Sequence, residues 1–220
     1  MKQKIIHVLP RSVWGNITIK ESNEPLVELQ ETARLRFATG LKHYTPTFFI
    51  REGVAEKLYR VAESLPKEFT LLVIECFRST ESQQQEWDRV FAEIKRETKL
   101  PDDEVEKRVR LLVAKPLPLA NHHCGGAVDL TLCYADGTPV DMGTPYISQI
   151  KDMSLRDKIP MLSNGITDEA QYFRNVLRKH MEAEDFVWYP GEWWHYCYGD
   201  RMWAVYSGKI ECFYGSVEEL

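Results

Sequence analysis

The sequence predicts an α+β fold: a single domain over residues 1–220, with helices packed on a central antiparallel sheet. Three observations predict it. Apolar residues recur at helical spacing through much of the chain before residue 185. Short strand-like runs, separated by Gly and Pro, fill the part after it. No regular alternation of strand and helix links the two, which argues against a parallel βαβ sheet. A length of 220 residues suits one domain with a sizeable core. No internal repeat, low-complexity tract or Ser/Gly linker divides it.

Each element has a local reason. In residues 51–65, Val54, Leu58, Val61 and Leu65 share one helical face, and Pro66 stops the helix. Residues 69–76 form a short, nearly continuous apolar run, which suits a buried strand. Residues 80–98 set Trp87, Val90, Phe91 and Ile94 at helical spacing, with Glu81 in the first turn, where it complements the helix dipole. Pro101-Asp102-Asp103 opens a further helix with Val105, Val109, Leu112 and Val113 facing inward; Pro116 and Pro118 end it. Residues 127–134 read as a strand, Asp136-Gly137 as a turn, and 138–160 as loop. Thr167 is an N-cap before Asp168 and Glu169, and its helix buries Phe173, Val176, Leu177 and Met181. Residues 186–189, 195–198, 202–206 and 210–214 read as short strands.

Composition excludes several classes of function. Hydrophobic residues make up 44% and charged residues 28%, ordinary for a globular protein. A net charge of -5, with no basic stripe, argues against nucleic-acid binding. No run approaches the ~18 apolar residues of a membrane span. His7 and Pro10 interrupt the N-terminal apolar run before a signal-peptide core is complete. The five cysteines match neither a disulfide framework nor a CxxC site, so free thiols and a cytoplasmic location are expected. No GxSxG, Walker or GxGxxG motif occurs.

Two segments carry chemistry: His122-His123-Cys124-Gly125-Gly126-Ala127-Val128-Asp129 and Glu192-Trp193-Trp194-His195. A catalytic zinc takes three protein ligands, keeps one position open for water, and needs a base beside that water. His122 and Asp129 flank two glycines, so a loop entering a strand brings both to one ion. Imidazole with carboxylate suits zinc better than magnesium or calcium, which prefer oxygen. Glu192 precedes His195 within a cluster of aromatics. Apolar walls raise the pKa of such a carboxylate toward the working pH of a general base. His123 reads as a surface residue or one behind the site, because neighbours in an extended segment point opposite ways. Cys197 reads first as a small buried residue and second as a thiol beside His195. Arg78 directly follows a buried strand, so its charge lies at the strand's open end, a candidate for steadying a developing oxyanion. In the competing reading, a closed structural metal site in a binding module, Cys124 or His123 is the fourth ligand; such a module has no use for Glu192 and Arg78.

Together these segments resemble the VanX-type D-alanyl-D-alanine dipeptidases, within the broader zinc D-Ala-D-Ala metallopeptidase family. Leu35-Arg36-Phe37-Ala38-Thr39 is similar to that family's LRYAT segment, and Phe77-Arg78-Ser79 with Gln83 to its arginine segment. His122 to Leu132 is similar to HxxGxAxDLTL, and Asp141-Met142-Gly143-Thr144 to DMGT. Glu192 to His195 with Tyr198-Gly199-Asp200 is similar to EWWH…YGD. The resemblance implies one zinc ion per chain held by His122, Asp129 and His195. It implies Glu192 as general base and acid, and Arg78 as stabiliser of the transition state. The implied substrate is a small peptide ending in D-alanine. Four residues depart from the pattern. Asn121 replaces a serine before the first zinc histidine, and Phe37 a tyrosine. Tyr146-Ile147 replaces a Phe-Asp pair whose Asp is expected to hold the substrate's amino group. With Ile147 there, a D,D- or L,D-carboxypeptidase of the same family is the alternative to a dipeptidase.

Overall fold

The computed structural model describes residues 8–9, 11–42, 44–110, 112–113, 121–146 and 153–217. In chain order its elements are β1 (Thr18–Ile19), β2 (Leu26–Glu28), β3 (Leu35–Phe37), β4 (Phe49–Arg51), α1 (Glu52–Ser64), β5 (Phe69–Glu75), α2 (Thr80–Thr98) and α3 (Asp102–Val109). There follow β6 (Ala127–Tyr134), α4 (Asp168–Ala183), β7 (Val187–Trp188), β8 (His195–Cys197), α5 (Arg201–Tyr206) and β9 (Glu211–Cys212). Short 3-10 turns cover Asn121–Cys124 and Met153–Lys158.

The main sheet has the order β3-β5-β6-β8-β7. Its β5-β6, β6-β8 and β8-β7 pairs are antiparallel, as expected, but β3 joins β5 in parallel, so the sheet is mixed. The reason is topological: α1 lies between β3 and β5 in the chain and returns it to the same end. Every residue of β5 is buried, and so is every residue of β6 except Tyr134. That accounts for the unbroken apolar run in β5. The helix α1 turns Val54, Ala55, Leu58, Val61 and Ala62 inward and packs against β5 and α4. Thr167 caps α4 by accepting from the Ala170 N–H, as its place before two acidic residues predicts. Helices α2 and α3 enclose a separate small cluster of Trp87, Val90, Val105 and Val109. Leu112 and Val113 pack against it beyond the end of α3; Pro116 and Pro118 lie outside the described residues.

One element contradicts the sequence reading. Residues 202–206 are part of a helix, α5, and not a strand. Asp200 caps it by accepting from the Trp203 N–H at 2.7 Å, and this side-chain cap outweighs the strand preference of Trp, Val and Tyr. The short strands β1 to β4 were not expected; β3 joins the main sheet. The other three form two further two-stranded pairs, β1 with β9 and β2 with β4. No described helix is long and apolar enough to cross a membrane.

Candidate active site

Strand register builds the site. Glu75 on β5 pairs with Asp129 on β6, and Asp129 pairs with His195 on β8. Directly opposed residues share a face, so three polar side chains form one row across three adjacent strands. A bulge between Val73 and Glu75 shifts the register at the end of β5.

His122 reaches this row from the 3-10 turn. The two glycines after it make the approach possible. Gly125 has φ +70°, and a Cβ there meets Leu26 Cδ2 at 2.3 Å. A Cβ on Gly126 meets the Tyr198 carbonyl oxygen at 2.5 Å. The buried Arg51 pins the turn by donating from Nε to the Cys124 carbonyl at 2.9 Å.

The His122 Nδ1–H donates to the Cys76 carbonyl at 2.7 Å, which leaves Nε2 as the free ligand atom, 3.3 Å from Asp129 Oδ1. His195 Nδ1 is 2.9 Å from the same oxygen. One nitrogen of each imidazole and one carboxylate oxygen thus lie within 4.8 Å of one another, all in buried residues. The Tyr146 hydroxyl donates to the other oxygen, Asp129 Oδ2, at 2.7 Å. Burial raises the Asp129 pKa, but the two imidazoles outweigh it and hold the carboxyl well below its ordinary range. For His195, burial lowers the pKa and the bond to Asp129 more than offsets it.

Glu192 stands at the rim, half-buried, on the turn between β7 and β8. The turn is held on both sides. The Trp193 Nε1–H donates to Thr144 Oγ1 at 2.8 Å, and the Trp194 carbonyl accepts from the Leu130 N–H at 3.0 Å. The Glu192 carboxyl accepts no hydrogen bond from a described residue. Close packing around it pushes its pKa up, and the nearby imidazoles oppose this only in part.

Arg78 lies beyond β5, as expected, and is built into a network. Its Nε donates to Glu75 Oε1 at 2.7 Å, while its other nitrogens bond Glu75 Oε2 and Gln83 Oε1. Lys42 and Tyr44 also bond the Glu75 carboxylate. Burial alone raises the Glu75 pKa; Arg78 and Lys42 reverse the shift and hold the group ionised. Sequence reasoning missed Glu75, Lys42, Tyr44 and the role of Tyr146. A lone carboxylate ending the apolar run of β5 was the one signal for Glu75. Lys42 and Tyr44 had none.

The remaining sequence candidates have clear places. His123 is 2% exposed, so it is no surface residue; its Nδ1 lies 2.5 Å from the Arg78 carbonyl, which it holds from behind. The Cys124 thiol donates to the Asn121 carbonyl at 2.8 Å. Neither joins the converging ligand atoms, so the proposed fourth ligand of a closed site finds no support among the described residues. Cys197 Sγ lies 3.3 Å from His195 Nε2, and Asn121 Nδ2 3.4 Å from that same nitrogen. Ile147 lies outside the described residues.

Residues 47–216, which include all five sequence-predicted site residues, match the family model described as D-ala-D-ala dipeptidase. The chain belongs to that family and is a peptidase. A D-alanyl-D-alanine dipeptidase from Synechocystis sp. is 29% identical over 198 residues, covering 78% of this chain and 80% of the relative. Two solved structures are similar at 16% identity. One is VanYB in complex with D-Alanine-D-Alanine, with a TM-score of 0.49, covering 89% of this chain and 90% of that one. The other is the LdcB LD-carboxypeptidase, with a TM-score of 0.48, covering 88% and 79%.

Proposed function

We propose that this peptidase is zinc-dependent and hydrolyses D-alanyl-D-alanine or a closely related D-amino-acid dipeptide. One observation carries the reading: two imidazole nitrogens and a carboxylate oxygen converge within 4.8 Å, beside the Glu192 carboxyl group, which accepts no hydrogen bond from a described residue. The donor set fits zinc. Two neutral nitrogens and one anionic oxygen are borderline ligands, three in number, as in catalytic zinc sites. The Cys76 carbonyl fixes the His122 tautomer that turns Nε2 toward the site, and Tyr146 takes Asp129 Oδ2, so Oδ1 is the oxygen that faces both imidazoles.

Bound there, zinc supplies Lewis-acid polarisation of the peptide carbonyl and acidifies water. Glu192 takes the proton from the attacking water at its carboxylate and returns it to the leaving amine. Its raised pKa suits both transfers. Arg78 supplies the fixed positive charge for the oxyanion, held in place by Glu75 and by His123 behind its carbonyl. Trp193 and Trp194 keep Glu192 on a turn that cannot slide along β6. The five free, buried cysteines support placement in a reducing compartment such as the cytoplasm.

Zinc content and turnover measured together test the roles. Glu192→Ala is expected to keep one zinc per chain and lose hydrolysis. His122→Ala, Asp129→Ala and His195→Ala are expected to lose both. Zinc loss in Glu192→Ala would make Glu192 a ligand and overturn its role as base.

A further inference from the structure

We propose that Lys42 is the specificity-determining residue that anchors the terminal carboxylate of the peptide. This inference rests on the peptidase reading above. Lys42 belongs to none of the chemistry-bearing segments, yet its side chain is only 8% exposed. A cation that deep needs an anion to offset its lost hydration. Among described residues its one carboxylate partner is Glu75. Glu75 is already satisfied: Arg78 bonds both of its oxygens, and the Tyr44 hydroxyl adds a donor. Two buried cations therefore share one bonded carboxylate, and the Asp129 carboxylate is the next anion whose charge reaches Lys42.

Lys42 lies next to the chemistry. Lys42 Nζ is 4.7 Å from the centre of the Tyr146 ring, and the hydroxyl of that ring bonds Asp129 at 2.7 Å. Its charge also acts on Glu192. An ammonium has three donor protons. Glu75 takes one, the ring face of Tyr146 lies near the ammonium, and among the described residues no other acceptor bonds it, so a proton can turn to an incoming anion. A dipeptide places its terminal carboxylate one residue beyond the scissile carbonyl. A cation one side chain away from the converging ligand atoms is suited to receive it. The substrate class is a peptide with a free C-terminal α-carboxylate, held at that end.

Equilibrium binding separates this from a purely structural role for Lys42. The probes are D-Ala-D-Ala and its C-terminal amide, titrated into zinc-loaded Glu192→Ala protein, which cannot turn over the ligand. The acid is expected to bind about tenfold or more tightly than the amide, the effect of one charge-assisted hydrogen bond. Lys42→Gln keeps a donor toward Glu75 and removes the charge. It is expected to abolish the preference and to leave amide binding within about twofold, and Lys42→Arg is expected to restore the preference in part. Lys42→Met serves as a second charge-removing variant, with melting curves to verify folding. Equal affinities in the parent protein, or a preference that survives in Lys42→Gln, overturns the anchor alone. Binding of neither peptide by the zinc-loaded parent overturns the dipeptide reading and the anchor with it.

Discussion

Burial sets the working range of Glu192. Its folded-state pKa lies above the ordinary glutamate value, so activity is expected to fall with acid at a pH above about 4.5. A pH profile of kcat reads this limb directly; a limb at or below the ordinary value contradicts the role. Stability follows the opposite sign. A raised carboxyl pKa favours the folded state below the unfolded pKa, and that contribution is lost as pH rises through the folded pKa. Glu192→Gln, neutral at every pH, is therefore expected to melt higher than the parent in metal-free protein at pH 8, while losing turnover. Tyr146 acts on a different atom. Its hydroxyl is the hydrogen-bond partner of Asp129 Oδ2, and Tyr146→Phe is expected to weaken zinc binding ~10–100-fold, measured by competition with a chelator. Arg78→Ala is expected to lower turnover by about a hundredfold or more with zinc retained, since it removes the cation proposed for the oxyanion and leaves Glu75 with Lys42 as its one cation among the described residues.

At the scale of elements, register is what brings the row Glu75, Asp129 and His195 together. Gly126 guards it, because a Cβ there would meet the Tyr198 carbonyl oxygen next to the β6-β8 pairing. Gly126→Ala is expected to cost about 1–3 kcal/mol by overpacking, read from a urea transition, and to weaken zinc binding with it. Much of this scale was legible in the sequence. The elements α1, α2, α4, β5 and β6 have long apolar patterns and sharp ends such as Pro66 and Thr167, so local signals and tertiary structure agree. Strands of two or three residues, β1 to β4, are too short to show a period, and their pairing is set by the rest of the fold. The helix α5 was misread because its apolar residues suit a strand, and only the Asp200 cap marks its start. The site divides in the same way. His122, Asp129, Glu192 and His195 fall in two compact segments whose residue types announce their chemistry. Lys42, Tyr44 and Tyr146 reach the site through pairing and packing that no short segment encodes.

At the scale of the whole molecule, Arg174 fastens the loop before α4 to the site. It is fully buried, and its guanidinium donates to the carbonyls of Met142, Pro160 and Lys158 at 2.8, 2.7 and 2.9 Å. Its Cζ also lies 5.6 Å from the centre of the Trp193 ring, next to Glu192 in the chain. Burial lowers its pKa to about 10, which leaves it charged at neutral pH. Arg174→Leu strips three buried carbonyls of their donor and is expected to cost about 3 kcal/mol or more in a urea transition. The central claim joins this frame to one reaction, and release of D-alanine from free D-Ala-D-Ala by the zinc-loaded protein tests it most directly. Release that stops on zinc removal and returns on zinc addition is the expected result. No release by protein that carries one zinc per chain contradicts the dipeptidase reading.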